Sequence, residues 1–382
     1  MLASVEDEEF RARARDWLAA NLTGEFAPLV GLGGPGREHE RFDLRLAWER
    51  HLAAAGWTCL AWPVEHGGRG ATLAQQVAFH EEYAAAGGPA RVNHLGEQLL
   101  GPTLIAHGTA AQRARFLPRI AAVEQLWCQG YSEPGAGSDL AAVSTRAELD
   151  GDEWVLTGQK IWTSLAVQAD WCFVLARTDP DSQRHRGLSY LLVPMDQSGV
   201  DVRPIRQLTG TSEFNEVFFD GARTARDLVV GEVGDGWRVA LATLAFERGV
   251  STLGQQIGFR RELDRLAEQA SANGSLDDPL LRADLARARL DLDVLRAHAL
   301  RALGSAEHGD ASVAKLLWSR WHRRLGELAM RVRGAPSLVV GEQYELDEWQ
   351  SLHLFSRADT LYGGSDEVQL NIIAERVLGL PR

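Results

Sequence analysis

The spacing of apolar residues in this chain changes twice. It is helical up to about Leu126, alternates as in strands through the middle of the chain, and is helical again from Trp237 onward. A helix presents one apolar stripe and a strand one apolar face, so each zone must bury its own kind of surface. The 382 residues also exceed what one compact core organises. The pattern predicts an α+β fold in three parts: an N-terminal helical domain over 1–123, a mostly antiparallel β domain over 124–232, and a C-terminal helical bundle over 233–382.

Within the first zone, the spacing predicts helices over Val5–Asn21, Phe42–Ala55, Leu73–Ala86, Glu97–His107 and Ala110–Val123. Ser4 is placed to cap the first, with acidic residues in its opening turn. In the middle zone Asp150-Gly151 separates two extended runs, a hairpin signal. Further strands are expected at Trp171–Arg177, Leu188–Pro194, Val200–Ile205 and Glu213–Phe219. The third zone reads as long helices over Trp237–Thr252, Ile257–Ala272, Pro279–Leu303 and Ser312–Arg333, with a last one near Glu367–Val377.

The net charge of −12 argues against a general nucleic-acid surface or binding to an anionic membrane. Only Lys160 and Lys315 are lysines, so arginine clusters are not sites on that ground alone. Cys59, Cys128 and Cys172 are far apart in sequence and form no C-x-x-C, which suggests small core residues in a reducing compartment and no metal site. No apolar run is long enough to span a bilayer, and the acidic start Met1–Glu9 does not resemble a signal peptide. A cytoplasmic protein is expected.

Ser132-Glu133-Pro134-Gly135-Ala136-Gly137-Ser138-Asp139 opens the β zone. Its closely spaced glycines let backbone N–H groups approach a ligand, and Ser138 adds a hydroxyl. By spacing alone it is either a diphosphate cradle or an ordinary tight turn. No Gly-Lys-Ser/Thr follows, and Leu140 replaces the third glycine of a dinucleotide fingerprint.

Trp127–Leu140 as a whole resembles the flavin-binding signature of the acyl-CoA dehydrogenase family. Gly158-Gln159-Lys160-Ile161-Trp162-Thr163-Ser164 resembles that family's second flavin segment, and Tyr362-Gly363-Gly364-Ser365-Asp366-Glu367-Val368-Gln369 its C-terminal segment. The helix, β, helix order is similar too, so the resemblance spans the chain. It implies FAD. Trp162 would pack on the isoalloxazine, Ser132 and Ser164 would bond the ring edge, and Gln129, Tyr131 and Thr163 would be its neighbours. Gly137 and Ser138 would meet the diphosphate, and Ser365 and Glu367 would join from the C-terminal segment. The ordinary readings are a core tryptophan and serines in turns or caps.

Oxidising an acyl thioester at Cα–Cβ needs a carboxylate in a dry site to take the α-proton, and donors that polarise the carbonyl. Many members carry that base directly after the C-terminal tyrosine, where this chain has Gly363. The resemblance to the isovaleryl-CoA and long-chain branch places it instead at Phe246-Glu247-Arg248. On a helix from Trp237, the residues Trp237, Ala240, Leu241 and Leu244 would share one face, with Glu247 beside Ala240 and Leu244. Glu247 is therefore the expected base, against the ordinary reading of a buried ion pair with Arg248. Asp366 and Glu367 compete less well, because acids at a helix start answer the dipole. The family implies that the N–H at Gly363 holds the thioester carbonyl.

Two segments depart from the family. Where members have Arg-x-x-Phe-Gly reaching a neighbouring subunit's FAD, this chain has Ala270–Asp278. Where they have Gln-x-x-Gly-Gly, it has Arg331-Val332-Arg333-Gly334-Ala335. The departures fit a homodimer or homotetramer using other residues, or a heterotetramer whose partner supplies the missing contacts. Arg91-Val92-Asn93-His94-Leu95 resembles the border of the acyl chain. Arg91, Val92, Leu95, Ser138, Arg248 and Tyr362 are the expected substrate neighbours, while Arg91, Asn93 and His94 could equally be solvent-exposed or capping.

The expected reaction is α,β-dehydrogenation of an acyl-CoA to the trans-2-enoyl-CoA, with electrons passing to an electron-transfer flavoprotein. Open alternatives are a dehydrogenase acting on an acyl carrier protein, a flavin oxidase of the same fold, and a non-catalytic partner subunit.

Overall fold

A computed structural model describes residues 4–246, 251–303 and 310–381. The N-terminal part comprises α1 (Val5–Asn21), α2 (Phe42–Ala54), α3 (Leu73–Ala85), α4 (Gly101–His107) and α5 (Ala110–Ala121). Ser4 caps α1 in a capping box with Asp7. A π-wound turn over Leu95–Leu100 runs straight into α4, so the helix expected from Glu97 begins earlier and is irregular at its start.

The middle part is one eight-stranded sheet. Its strands are β1 (Trp127–Gly130), β2 (Arg146–Asp150), β3 (Glu153–Ser164), β4 (Trp171–Arg177), β5 (Leu188–Pro194), β6 (Val200–Ile205), β7 (Phe214–Ala225) and β8 (Val229–Val230). The order is β6-β7-β3-β2-β4-β5-β8, with β1 beside β4. Asp150 pairs Glu153 across the expected hairpin. Pairing is antiparallel except where β4 meets β1 and the single β2 residue Arg146. The α+β class and the helix, sheet, helix order are as the apolar spacing predicts. All three cysteines are buried free thiols; Cys128 and Cys172, distant in sequence, stand opposite one another on β1 and β4.

The C-terminal part comprises α6 (Gly236–Phe246), α7 (Ser251–Ala272), α8 (Pro279–Leu303), α9 (Asp310–Arg333), α10 (Glu348–Phe355) and α11 (Asp366–Ile372), the last followed by a π-wound turn over Ile373–Val377. Apolar spacing alone does not reveal α10. Its signal is the capping box of Asp347 with Gln350, which encloses the buried Trp349.

The face of α6 needs correction. Gly236, Val239, Ala240 and Thr243 are buried, whereas Leu241 is 43% exposed. The stripe is rotated because Thr243 is satisfied inside: its hydroxyl bonds Val239 O at 3.0 Å and meets the Thr103 hydroxyl at 2.8 Å. A polar residue with partners on other elements belongs in the core as well as an apolar one.

One apolar cluster joins the N-terminal helices, the sheet and α6. Phe116 meets the rings of Trp127 and Trp171 edge-on at 5.3 and 5.2 Å, and the two indoles stack at 5.6 Å. Burying a side chain of Phe size contributes about 1.5–3 kcal/mol, so this cluster fixes β1 and the turn after it. No helix among the described residues is long and apolar enough to cross a membrane.

Candidate active site

The turn after β1 is built on a buried ion pair. Glu133 and Ala136 exchange backbone hydrogen bonds of 3.0 Å, closing the Pro134-Gly135 turn. The Glu133 carboxylate accepts from Ser144 N and Oγ, each at 2.7 Å, and from Thr145 N at 2.9 Å. Lys160, fully buried on β3, donates to Glu133 Oε1 at 2.8 Å, Tyr131 O at 3.1 Å and Leu175 O at 2.7 Å. Burial works to raise the Glu133 pKa, but the Lys160 charge and the donors around it hold it down at about 2. Burial also lowers the Lys160 pKa, against the opposing pull of Glu133.

Directly after Lys160 the β3–β7 register slips by one residue. Lys160 pairs Val217 and Thr163 pairs Asn215, so Ile161 and Trp162 together face one residue of β7. Such a bulge re-aims a side chain. Trp162 takes φ +60° and its side chain lies out of the sheet, 56% exposed, edge-on to Phe214 at 6.2 Å. Ile161 N bonds Ser132 O at 2.9 Å, tying the bulge to the turn. The first two sequence motifs therefore form one unit.

The polar atoms of this unit are arranged for something beyond the chain. Thr163 is 1% exposed, yet its hydroxyl has no hydrogen-bond partner, and Gln129 Nε2 is likewise buried and unpartnered. Buried polar groups are costly unless paired. Gly135 and Gly137 have no positive φ, and a Cβ on either would touch nothing within 4 Å. Nothing in the chain itself demands glycine there, and the open space leaves the backbone accessible to a ligand. Ser138 is exposed beside them, Ser132 and Ser164 are half-buried, and Tyr131 is buried against Phe173 and Tyr190. This donor set, with an exposed indole, fits a flat aromatic cofactor carrying a diphosphate.

The third motif lies at the start of α11. Ser365 caps this helix through Val368 N, so its hydroxyl serves the chain, and Glu367 is exposed in the first turn. Asp366 accepts from Arg320 Nε at 2.7 Å, at the end of a groove of about 620 Å³ along α9. Gly363 and Gly364 have φ of +62° and +88°, a conformation that favours glycine. Gln369, fully buried, donates to Gly363 O at 3.1 Å and so orients that peptide. Tyr362 is half-buried just before it. Glu247 and Arg248 lie outside the described residues.

The segment from Arg91 to Leu95 is largely internal, which removes the solvent-exposed reading, and His94, at the start of the following turn, makes no side-chain capping bond. The Arg91 guanidinium is shared by Glu49 Oε1, at 3.0 Å, and Glu97. It braces this segment and is not presented as a free cation. Asn93 donates to Ile120 O at 3.0 Å, and burial lowers the pKa of His94. Val92 and Leu95 are buried in the core. Sequence reasoning missed Glu133 and Lys160 as the support of the turn, although the presence of one of only two lysines in the chain within the second motif was a usable signal.

Family models place the same three parts in order. The acyl-CoA dehydrogenase N-terminal domain matches residues 4–124, the middle domain 128–222 and the C-terminal domain 234–378. The chain is 66% identical over 378 residues to acyl-CoA dehydrogenase IpdE1 of Mycobacterium tuberculosis, covering 98% of each. It is 63% identical to the protein of that name from Mycolicibacterium smegmatis, covering 99% of each.

The chain belongs to the acyl-CoA dehydrogenase family.

Among solved structures, this acyl-CoA dehydrogenase is similar to the Tcur3481–Tcur3483 steroid ACAD, with 30% identity, a TM-score of 0.85, and coverage of 100% of this chain and 99% of that one. It is also similar to the ChsE4–ChsE5 complex of Mycobacterium tuberculosis, with 31% identity, a TM-score of 0.83, and coverage of 100% and 99%. The family makes this chain an oxidoreductase of the acyl-CoA dehydrogenase type.

Proposed function

We propose that this acyl-CoA dehydrogenase uses FAD to convert an acyl-CoA thioester to its trans-2-enoyl-CoA and passes the electrons to an electron-transfer flavoprotein. The observation that carries the reading is the unpartnered, buried Thr163 hydroxyl beside the outward Trp162 indole on a bulge bonded to Ser132. Gln129, Tyr131, Ser132, Gly137, Ser138, Trp162, Thr163 and Ser164 would hold the cofactor, joined from the C-terminal segment by Glu367 and by the backbone at Ser365, whose hydroxyl is taken up in capping α11. Bound there, FAD supplies the two-electron acceptor for hydride leaving Cβ. Glu247 takes the Cα proton. The N–H of Gly363 donates to the thioester carbonyl and draws charge from Cα, which makes that proton acidic enough to remove. Val92, Leu95, Ser138, Arg248 and Tyr362 border the substrate, and Arg91 holds the first two in place.

The test is anaerobic bleaching of the yellow protein across short, long, branched and steroid-like acyl-CoAs, the last suggested by the steroid ACAD among its structural neighbours. Bleaching that persists in air supports a dehydrogenase. Rapid return of colour in air favours an oxidase, and bleaching only by acyl groups on a carrier protein moves the substrate. A colourless protein indicates a non-catalytic subunit.

A second reading concerns assembly. The two segments that depart from the family lie against each other: Asn273 Nδ2 and Ser275 Oγ both donate to Val332 O, at 2.9 and 2.7 Å. Altered contacts at one end of the bundle, together with structural neighbours that are two-component complexes, favour a heterotetramer with a partner chain that supplies part of the FAD site. Purifying the chain alone and counting FAD per chain decides it: full occupancy in a homo-oligomer removes the need for a partner.

A further inference from the structure

Beneath the third motif lies a buried polar cluster that no step above uses. His322 of α9 sits between two carboxylates: its Nδ1 is 2.6 Å from Asp359 Oδ2 and its Nε2 is 3.1 Å from Glu262 Oε2 of α7. Its ring stacks on Phe259 at 4.5 Å. Asp359, 1% exposed, uses its other oxygen to accept the Tyr362 hydroxyl at 2.7 Å. Lys315 of α9 donates to the Asp359 carbonyl, and its ammonium lies 4.2 Å from the Trp318 ring and 4.7 Å from the Tyr362 ring. The Tyr362 ring is thus held at its hydroxyl by Asp359 and over its face by Lys315.

We infer that Asp359, itself oriented by His322 and Glu262, is a positioning residue that fixes Tyr362 and thereby the shape of the site at Gly363. The inference rests on the reading of Gly363 as the carbonyl-binding position. Tyr362 is joined to Gly363 by one peptide bond, and the Gly363 carbonyl is held independently by Gln369. Gln369 pins the Gly363–Gly364 peptide on one side and Asp359 pins the Tyr362 side chain on the other, so the Gly363 N–H is bracketed by two held groups before substrate arrives. Preorganised donors of this kind require no rearrangement during reaction. The imidazole carries two donors only as a cation, and both of its nitrogens face carboxylates. The charged groups around it are Glu262 from α7, Asp359 from the turn before Tyr362, and Lys315 from its own helix, so the cluster is neutral as a whole. Burial works against the cation, but the two carboxylates raise the His322 pKa to about 10.

The test uses the full chain as purified with its FAD. Tyr362→Phe keeps the ring and removes only the hydroxyl, and Asp359→Asn keeps an acceptor oxygen and removes the charge. Each is expected to raise KM for an acyl-CoA about tenfold while FAD content stays at the wild-type level, and the double variant is expected to be no worse than either single. A purely structural role would lower the melting temperature and leave KM unchanged. In 15N-histidine spectra at pH 8, both His322 nitrogens should be protonated, with shifts that move in Tyr362→Phe. A wild-type KM in Tyr362→Phe, additive losses in the double variant, or a neutral His322 overturns the inference. If no acyl-CoA bleaches the wild-type flavin, the functional reading fails instead. The His322 signals then decide the relay: a change in Tyr362→Phe upholds it, and none overturns it.

Discussion

Lys160 Nζ stands 2.8 Å from Glu133 Oε1 beneath the turn that follows β1, and neither side chain is exposed. One residue of this pair is on the first cofactor motif and the other on the second. Removing one partner of a buried pair leaves the other charged and unsolvated, which costs about 3–5 kcal/mol. Lys160→Met is therefore expected to lower the unfolding free energy by about that amount and to release FAD. Lys160→Met with Glu133→Gln should recover part of the loss. Chemical denaturation and the ratio of flavin to protein absorbance measure both effects.

The same pair sets an acid limit. The Glu133 pKa, about 2 in the folded chain, lies below the ordinary value of 4.5. A depressed carboxylate contributes stability above its unfolded pKa and loses it as pH falls toward the folded one. Stability should therefore drop between about pH 4.5 and pH 2, and Glu133→Gln should flatten that part of the profile. Denaturation midpoints taken across this window are the measurement.

Trp162 combines strain with exposure. A non-glycine residue at positive φ costs about 1–3 kcal/mol, and an indole that is 56% exposed returns little burial. Trp162→Gly should leave the melting temperature of the FAD-free chain unchanged or slightly raised. The same variant should retain FAD at least tenfold more weakly, because the stacking face is gone. A marked loss of stability without FAD would mean the indole is a core residue after all.

The elements with a clean period were legible in the sequence. Pro279–Leu303, Trp171–Arg177 and Leu188–Pro194 have the expected ends, because each runs from a turn signal through an unbroken apolar pattern. What was hidden is what depends on distant partners. The bulge at Ile161–Trp162 shifts the alternation by only one step. Thr243 faces the core because Thr103 and Tyr190 satisfy it, and neither is near in sequence. The Arg91 guanidinium is taken up by Glu97 nearby in sequence and by Glu49 of α2, and the second of these contacts exists only because α2 packs against the segment after α3. At Tyr362–Gln369 the motif was legible, while the Asp359 and His322 support beneath it was not.

Glu247 carries the proposed proton abstraction, so Glu247→Gln should bind FAD at the wild-type ratio and show no bleaching with any acyl-CoA that bleaches the parent. Loss of a general base costs at least 10²–10⁴-fold in rate, roughly the range of such catalysis. Rapid-mixing absorbance of the flavin band makes the comparison. Reduction at the parental rate would move the base to another carboxylate, with Asp366 and Glu367 next in line.

His322 gives the last prediction its sign. Its pKa is raised from 6.5 to about 10 by Glu262 and Asp359, against the opposing effect of burial. A group raised on folding contributes stability that is fully present below its unfolded pKa and is lost as pH rises through the folded one. His322→Gln should therefore destabilise the chain most below about pH 6.5. The gap to the parent should shrink progressively toward pH 10, where the parent's imidazolium also loses its proton between the two carboxylates. Denaturation of both proteins at intervals across that range measures the gap. A gap that stays constant with pH would mean that His322 stabilises the bundle by packing on Phe259 and not by its charge.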